Sequence, residues 1–254
     1  MNILFLGTGT STGVPQIGCK CEVCSSDNSK DNRLRASVVV TEGNTQILID
    51  SGPDLRQQLL HEKLSSLSAI LLTHEHYDHT AGLDDVRPLG EAQLYAEKRV
   101  LNVIQRNMPY CFGENKYPGV PTIHLHEINE NEFYIDELKI QPIRIMHAKL
   151  PIFGYRINNI AYLTDVKTIE DKAIEQLQNL DVLILSALRI NKHISHLSLE
   201  EAIEIAQKIG ARETYFTHMS HDMGLHDQVN KTLPEHIQLA YDGLTINCLN
   251  NIAE

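Results

Sequence analysis

Long apolar runs are missing from these 254 residues, and none approaches the ~20 consecutive apolar positions that a bilayer-spanning helix requires. The first residues, Met1-Asn2-Ile3-Leu4-Phe5-Leu6, carry no basic segment and are too short an apolar run for a signal peptide. They read as a first strand, and the protein as cytoplasmic with no membrane partner. Positive charge is scarce: 22 Lys and Arg face 33 Asp and Glu, a formal net charge of −11. Long-range repulsion therefore disfavours an extended nucleic-acid backbone as partner, while a small anion drawn to a local dication stays compatible. No linker, repeat or low-complexity stretch divides the chain, so residues 1–254 read as a single domain with an ordinary 42% apolar content. Cysteine is sparse and uneven, with five in all and three at positions 19, 21 and 24. In a reducing cell that crowding points to metal more than to disulfide.

Against these absences stands Thr73-His74-Glu75-His76-Tyr77-Asp78-His79, directly after the apolar run Ala69-Ile70-Leu71-Leu72. Imidazole nitrogens and carboxylate oxygens are the donors that borderline divalent metals prefer. His74 and His76, two apart on an extended segment, point the same way. Asp78 and His79 follow a turn and can face a second point about 3.5–4 Å off, the spacing of paired metals. One loop can thus serve two metals.

The first half reads as strand-rich, with strands expected at Asn2–Leu6, Ala36–Thr41, Gln46–Ile49, Ala69–Leu72 and Ala92–Tyr95 and helices at 53–61 and Glu97–Asn107. Phe133–Ile135 and Leu138–Ile145 form a hairpin around Asp136-Glu137. Phe153–Ile157 and Ile160–Leu163 form another, whose Asn158-Asn159 suits a type I′ turn. Further on, strands at Val182–Leu185 and Glu213–Thr217 flank a helix opened by the capping box Ser198-Leu199-Glu200-Glu201, and Leu244–Leu249 closes a sheet. Residues 108–121 are the main irregular excursion. The pattern implies an α/β fold in which two sheets pack between helical layers, a four-layer αββα sandwich.

Two metals need further ligands from distant strand ends. His147 follows the strand Gln141–Met146, Asp165 ends Ile160–Thr164, and His218 ends Glu213–Thr217. A carboxylate such as Asp165 can bridge two cations. The order H-x-H-x-D-H, then His147, Asp165 and His218, resembles the metallo-β-lactamase superfamily of dinuclear metallohydrolases, nearly end to end. Leu48-Ile49-Asp50-Ser51-Gly52 is similar to that family's first motif, whose aspartate buttresses the ligands, a role that falls to Asp50. The resemblance implies that His74, His76 and His147 hold one metal, that Asp78, His79 and His218 hold the other, and that Asp165 bridges them. The two divalent metals would be zinc or manganese, iron being a third option for these donors. Aspartate at 165, in place of cysteine, resembles the phosphodiesterase and nuclease branches and not the antibiotic-degrading lactamases.

The three cysteines lack a second C-x-x-C, since Cys111 and Cys248 stand alone, and a structural zinc wants four ligands. A histidine is the natural fourth: His221 stands out, and His226 competes. Gly7-Thr8-Gly9-Thr10-Ser11, Gly13-Val14-Pro15, C-x-C-x-x-C and Thr217-His218-Met219-Ser220-His221 together are similar to the cyclic ribose-phosphate phosphodiesterases (PhnP-type) of the carbon–phosphorus lyase pathway. That resemblance implies a structural zinc on Cys19, Cys21, Cys24 and His221. It also implies a metal-dependent phosphoric diester hydrolase that attacks a small, cyclic phosphodiester with a metal-bridging hydroxide. Asp78 and His196 would be catalytic, with His196 assisting phosphate binding and leaving-group protonation; His193 lies close enough to compete. The rival enzyme is the tRNA 3′-end processing endonuclease, but its long basic arm corresponds here to 105–121, with only Arg106 and Lys116. A relative from pyrroloquinoline quinone synthesis departs from the catalytic ligand pattern. A non-catalytic metal-binding or sensor protein of the same fold would be expected to have lost ligands. A homodimer is compatible with the chain.

Overall fold

The computed structural model describes residues 1–113, 116 and 118–248. Fourteen strands are numbered along the chain: β1 (Asn2–Gly7), β2 (Ser37–Glu42), β3 (Thr45–Ile49), β4 (Ala69–Leu71), β5 (Glu91–Glu97), β6 (Thr122–Ile128), β7 (Phe133–Ile135), β8 (Leu138–His147), β9 (Leu150–Ile157), β10 (Ile160–Leu163), β11 (Val182–Ser186), β12 (Glu213–Thr217), β13 (Ile237–Leu239) and β14 (Thr245–Asn247). The helices are α1 (Leu55–His61), α2 (Tyr77–Thr80), α3 (Lys98–Asn107), α4 (Pro109–Phe112), α5 (Asp171–Gln176), α6 (Leu199–Ile209) and α7 (His226–Asn230). They frame two seven-stranded sheets, ordered β14-β1-β2-β3-β4-β5-β6 and β13-β12-β11-β10-β9-β8-β7.

The alternation of side chains along each strand builds the layers. On β2 and β3, Val38, Val40, Ile47 and Ile49 turn inward to meet Tyr155, Tyr162 and Ile184 of the other sheet. Their neighbours Val39 and Leu48 turn outward beneath α1 and α3, alongside Leu55, Val100 and Ile104. In the second sheet, Ala161, Leu163, Leu183 and Leu185 face outward onto α5 and α6. Central strands buried on both faces read as continuous apolar runs for this reason. The αββα sandwich is the observed fold.

Several boundaries moved. β6 and β13 were not among the expected strands; β6 is an edge strand on which Ile123 and Leu125 pack beneath the helices while His124 and His126 lie on the opposite face. β8 runs through His147, which is its last residue and not the one after it, and β9 begins at Leu150 across a two-residue turn with Ala148 at φ 52°. At Asn158-Asn159 only Asn158 has positive φ (50°), so the second left-handed residue of a type I′ turn is lacking. α1 starts at Leu55, two residues later than expected. The last strand is shorter than Leu244–Leu249, and Leu249 lies outside the described residues. The 108–121 excursion contains α4; residues 114, 115 and 117 of it also lie outside the described set. Among the described residues no helix is long and apolar enough to cross a membrane.

β3, β4 and β5 run parallel, as do β10, β11 and β12. Chain segments leaving the carboxyl ends of such strands converge on one rim, where open α/β sheets place their ligands.

Candidate metal centre

That rim gathers the residues singled out in the sequence. β3 leads into Asp50, β4 into Thr73 and His74, β10 into Asp165, and β12 into His218. Asp50, Asp165 and His218 take left-handed backbone conformations (φ 64°, 54° and 58°) that non-glycine residues rarely adopt. Each turns the chain sharply off its strand and aims the side chain along the rim. Strain of this kind collects at functional sites, where surrounding contacts hold it. Gly52 is required by packing: a Cβ there would stand 2.1 Å from the carbonyl oxygen of Asp78.

Asp165 is the hub. One carboxylate oxygen lies 2.9 Å from His79 Nε2. The other lies 3.4 Å from His218 Nε2 and 3.4 Å from His196 Nδ1. Asp78 Oδ2 is 3.1 Å from His79 Nε2 and 3.5 Å from His218 Nε2. Donor atoms of His74, His79 and Asp165 gather within metal-binding reach of one another, as do those of Asp78, His79 and His218. The rings of His74, His76 and His147 stand 4.5, 5.8 and 5.3 Å apart pairwise, and His76 is the exposed member. Six of the seven expected ligands fall in groups of this kind, His147 with Asp165 and His196, while His76 is placed only by its ring beside those of His74 and His147. The tightest groups run through His79 and Asp165, and not through the His74, His76, His147 trio.

Supporting contacts orient the imidazoles. His79 Nδ1 pairs with Asp50 Oδ2 at 2.7 Å, which turns Nε2 into the site. Asp50 is itself held by Thr73, whose backbone N–H and hydroxyl donate to it at 2.9 and 3.0 Å. His147 Nδ1 sits 3.0 Å from the Ser195 carbonyl. The Tyr155 hydroxyl donates to the Leu72 carbonyl at 2.6 Å, joining the second sheet to the first beneath His74. Asp50 was legible in the sequence; Thr73 stood in the motif without a role, and the Ser195 carbonyl is a backbone atom that no residue pattern reveals.

Electrostatics match a cation site. Burial would raise the Asp78 and Asp165 carboxyls, but His79 and His218 outweigh it and hold both below the usual carboxylate range. Burial pushes the His74 imidazole well down, reinforced by His79. For His79 burial acts downward, and Asp50, Asp78 and Asp165 overcome it. The buried His74 Nε2 has no hydrogen-bond partner, and His79 Nε2 faces the Asp165 and Asp78 carboxylates at 2.9 and 3.1 Å. Buried imidazole nitrogens aimed at one point beside ionised carboxylates are the donor set a dication satisfies.

A second cluster lies behind the rim. The thiols of Cys19, Cys21 and Cys24 group with His221, whose Nδ1 is 3.2 Å from Cys19 Sγ and 3.3 Å from Cys21 Sγ. Three sulfurs and one nitrogen at this spacing suit tetrahedral zinc. His226 is elsewhere, buried, with Nδ1 3.1 Å from Arg33. Of the two loop histidines, His196 Nδ1 comes within 3.4 Å of Asp165, while His193 Nδ1 accepts from the Ser195 N–H at 3.3 Å.

The β-lactamase superfamily domain matches residues 45–219. A solved PhnP-family diphosphatase is 40% identical and superposes with a TM-score of 0.92 over 98% of each chain. This chain belongs to the PhnP family of the metallo-β-lactamase superfamily. Zinc-bound PqqB from Methylobacterium extorquens (TM-score 0.81, 20% identity, 98% of this chain and 100% of that one) shares the fold. So does the short form of human tRNase Z (TM-score 0.68, 21% identity, 97% of this chain and 99% of that one). Among curated proteins, an octanoyltransferase of Porphyromonas gingivalis is 44% identical over 250 residues, 96% of this chain and 51% of that protein. Coenzyme PQQ synthesis protein B of Methylobacterium radiotolerans is 31% identical over 121 residues, 42% of this chain and 40% of that one. The PhnP-family chain thus spans about half the length, or less, of these curated relatives.

Proposed function

We propose that this chain hydrolyses a phosphodiester in a small substrate, a cyclic ribose phosphate being the first class to test. The site would be a dinuclear centre with His74, His76 and His147 on one side, Asp78, His79 and His218 on the other, and Asp165 between. The observation that carries this reading is the position of Asp165, with one oxygen 2.9 Å from His79 and the other 3.4 Å from His218. A pair of dications held there supplies Lewis acidity at phosphoryl oxygens and brings the pKa of water toward neutrality. The remaining steps belong to the protein. Asp50 holds His79 in the tautomer that presents Nε2 inward, and the Ser195 carbonyl does the same for His147. His196, 3.4 Å from Asp165, is placed to pass a proton to the leaving oxygen. Burial and the neighbouring His218 push its pKa down to about 3, so the free protein holds it neutral. An anionic substrate beside it favours the charged form.

The 40% identical diphosphatase favours a second reading, cleavage of a P–O–P linkage at the same centre. Octanoyl transfer is not carried over, because the match leaves about half of that relative outside it. The test is a substrate panel with added manganese or zinc: bis(p-nitrophenyl) phosphate, cyclic ribose phosphates, cyclic nucleotides, nucleoside diphosphate derivatives and precursor tRNA. Turnover of cyclic phosphodiesters supports the first reading and selective turnover of diphosphates the second. Two bound metals with no hydrolysis of any substrate would favour a sensor.

A further inference from the structure

Arg99, near the start of α3, touches both halves of one proposed metal site. Its Nη1 pairs with a carboxylate oxygen of Glu75, the residue between His74 and His76. Its Nη2 donates to the Pro151 carbonyl at 2.8 Å. Pro151 pairs with Met146 across the β8–β9 hairpin, whose turn begins at His147. A single guanidinium thus joins the two chain segments, one from each sheet, that present His74, His76 and His147. Between those segments the structure adds the Phe153 N–H bond to the Thr73 carbonyl at 3.1 Å. The Glu75 carboxylate is pinned: its second oxygen is buried with no hydrogen-bond partner, so Arg99 is what balances its charge. Arg99 is itself held, with Nη2 3.6 Å from Glu97, which Arg144 grips at 2.7 Å. A planar fork fits this double contact; a lysine ammonium offers one point charge and cannot reproduce it.

We propose that Arg99, through Glu75 and the Pro151 carbonyl, is a positioning residue that closes the His74, His76 and His147 metal site and sets its affinity. The inference rests on the dinuclear reading above. Outer contacts of this kind typically change metal affinity about 10- to 100-fold when removed.

The experiment counts metal and does not depend on turnover. Zinc-loaded full-length protein is dialysed against graded chelator and its zinc equivalents per chain are measured. In parallel, the cobalt-substituted protein reports the cysteine cluster through its thiolate charge-transfer band. Arg99→Ala should release one equivalent at chelator concentrations about 10- to 100-fold lower than wild type does, with the thiolate band intact. Arg99→Lys should lie between the two. Retention of every equivalent at wild-type affinity in Arg99→Ala overturns the proposal. Should Arg99→Ala fail to fold, Glu75→Gln decides: selective loss of one equivalent supports the proposal, and full retention overturns it. If wild type binds metal only at the cysteines, the dinuclear reading falls first and this inference with it.

Discussion

At the scale of single residues, burial and partner geometry sort histidines that look alike in sequence. His196 and His193 are three apart, yet only His196 reaches Asp165. His196→Ala should keep both catalytic metals and lose about 10²- to 10⁴-fold in turnover, the span of a general acid; metal analysis beside steady-state kinetics checks this, and full activity would sink the assignment. Asp50→Ala removes the partner of His79 Nδ1 and should weaken metal binding about 10- to 100-fold, measurable by competition with a chelator. His226 makes a pH statement. Burial and then Arg33 push its pKa from 6.5 down to about 4. Between those values the unfolded chain binds a proton that the folded chain refuses, so this residue's contribution to stability is full above about 6.5 and is lost as pH falls toward 4. Acidification from pH 7 to 5 should cost His226→Gln less than wild type, by on the order of 1–2 kcal/mol after allowance for solvent screening. Urea midpoints of both proteins at the two pH values measure the difference, and equal losses would remove His226 from the account.

Among elements, the capped helix and the cysteine loop connect local rules to the rim. Ser198 and Glu201 satisfy each other's backbone N–H groups at 3.4 and 2.8 Å, and Glu201 also takes Lys167 at 3.1 Å. Lys167 in turn donates to the His196 carbonyl at 3.3 Å, so the start of α6 and His196 share one brace. Ser198→Ala should cost about 1 kcal/mol in global stability by denaturant titration. The cysteine loop is tied to the turn His221–Met223, just past His218, which follows β12. Cys21→Ser should release that loop: we expect a lower thermal midpoint and new proteolytic cleavage within residues 16–32, with both catalytic metals retained. Unchanged protection of the loop would make the thiols dispensable.

For the whole molecule, charge and shape argue together. A net charge of −11 and a stretch, residues 105–121, whose cations are Arg106 and Lys116 give little grip on a polyphosphate chain. Precursor tRNA should therefore be neither bound nor cut at physiological salt, and salt-sensitive binding in a filter assay would reverse that expectation. The doubly buried strands, the capping box and the H-x-H-x-D-H loop were readable because each is a local pattern: side-chain period, cap chemistry and donor spacing are properties of adjacent residues. β6 was not read although Ile123-His124-Leu125-His126 alternates, because the run offers only two apolar residues before Glu127 breaks the period. Sequence alone determined which residue types are ligand-grade, that there are enough of them for two metals, and that the chain folds as layered sheets. Tertiary structure decided which residues meet: it sent His226 to Arg33 and His221 to the thiols, gave Asp165 its place between His79 and His218, and set Arg99 across two sheets. Those outcomes depend on contacts between residues separated by up to about two hundred positions, where only the register and convergence of the strands determine who meets whom.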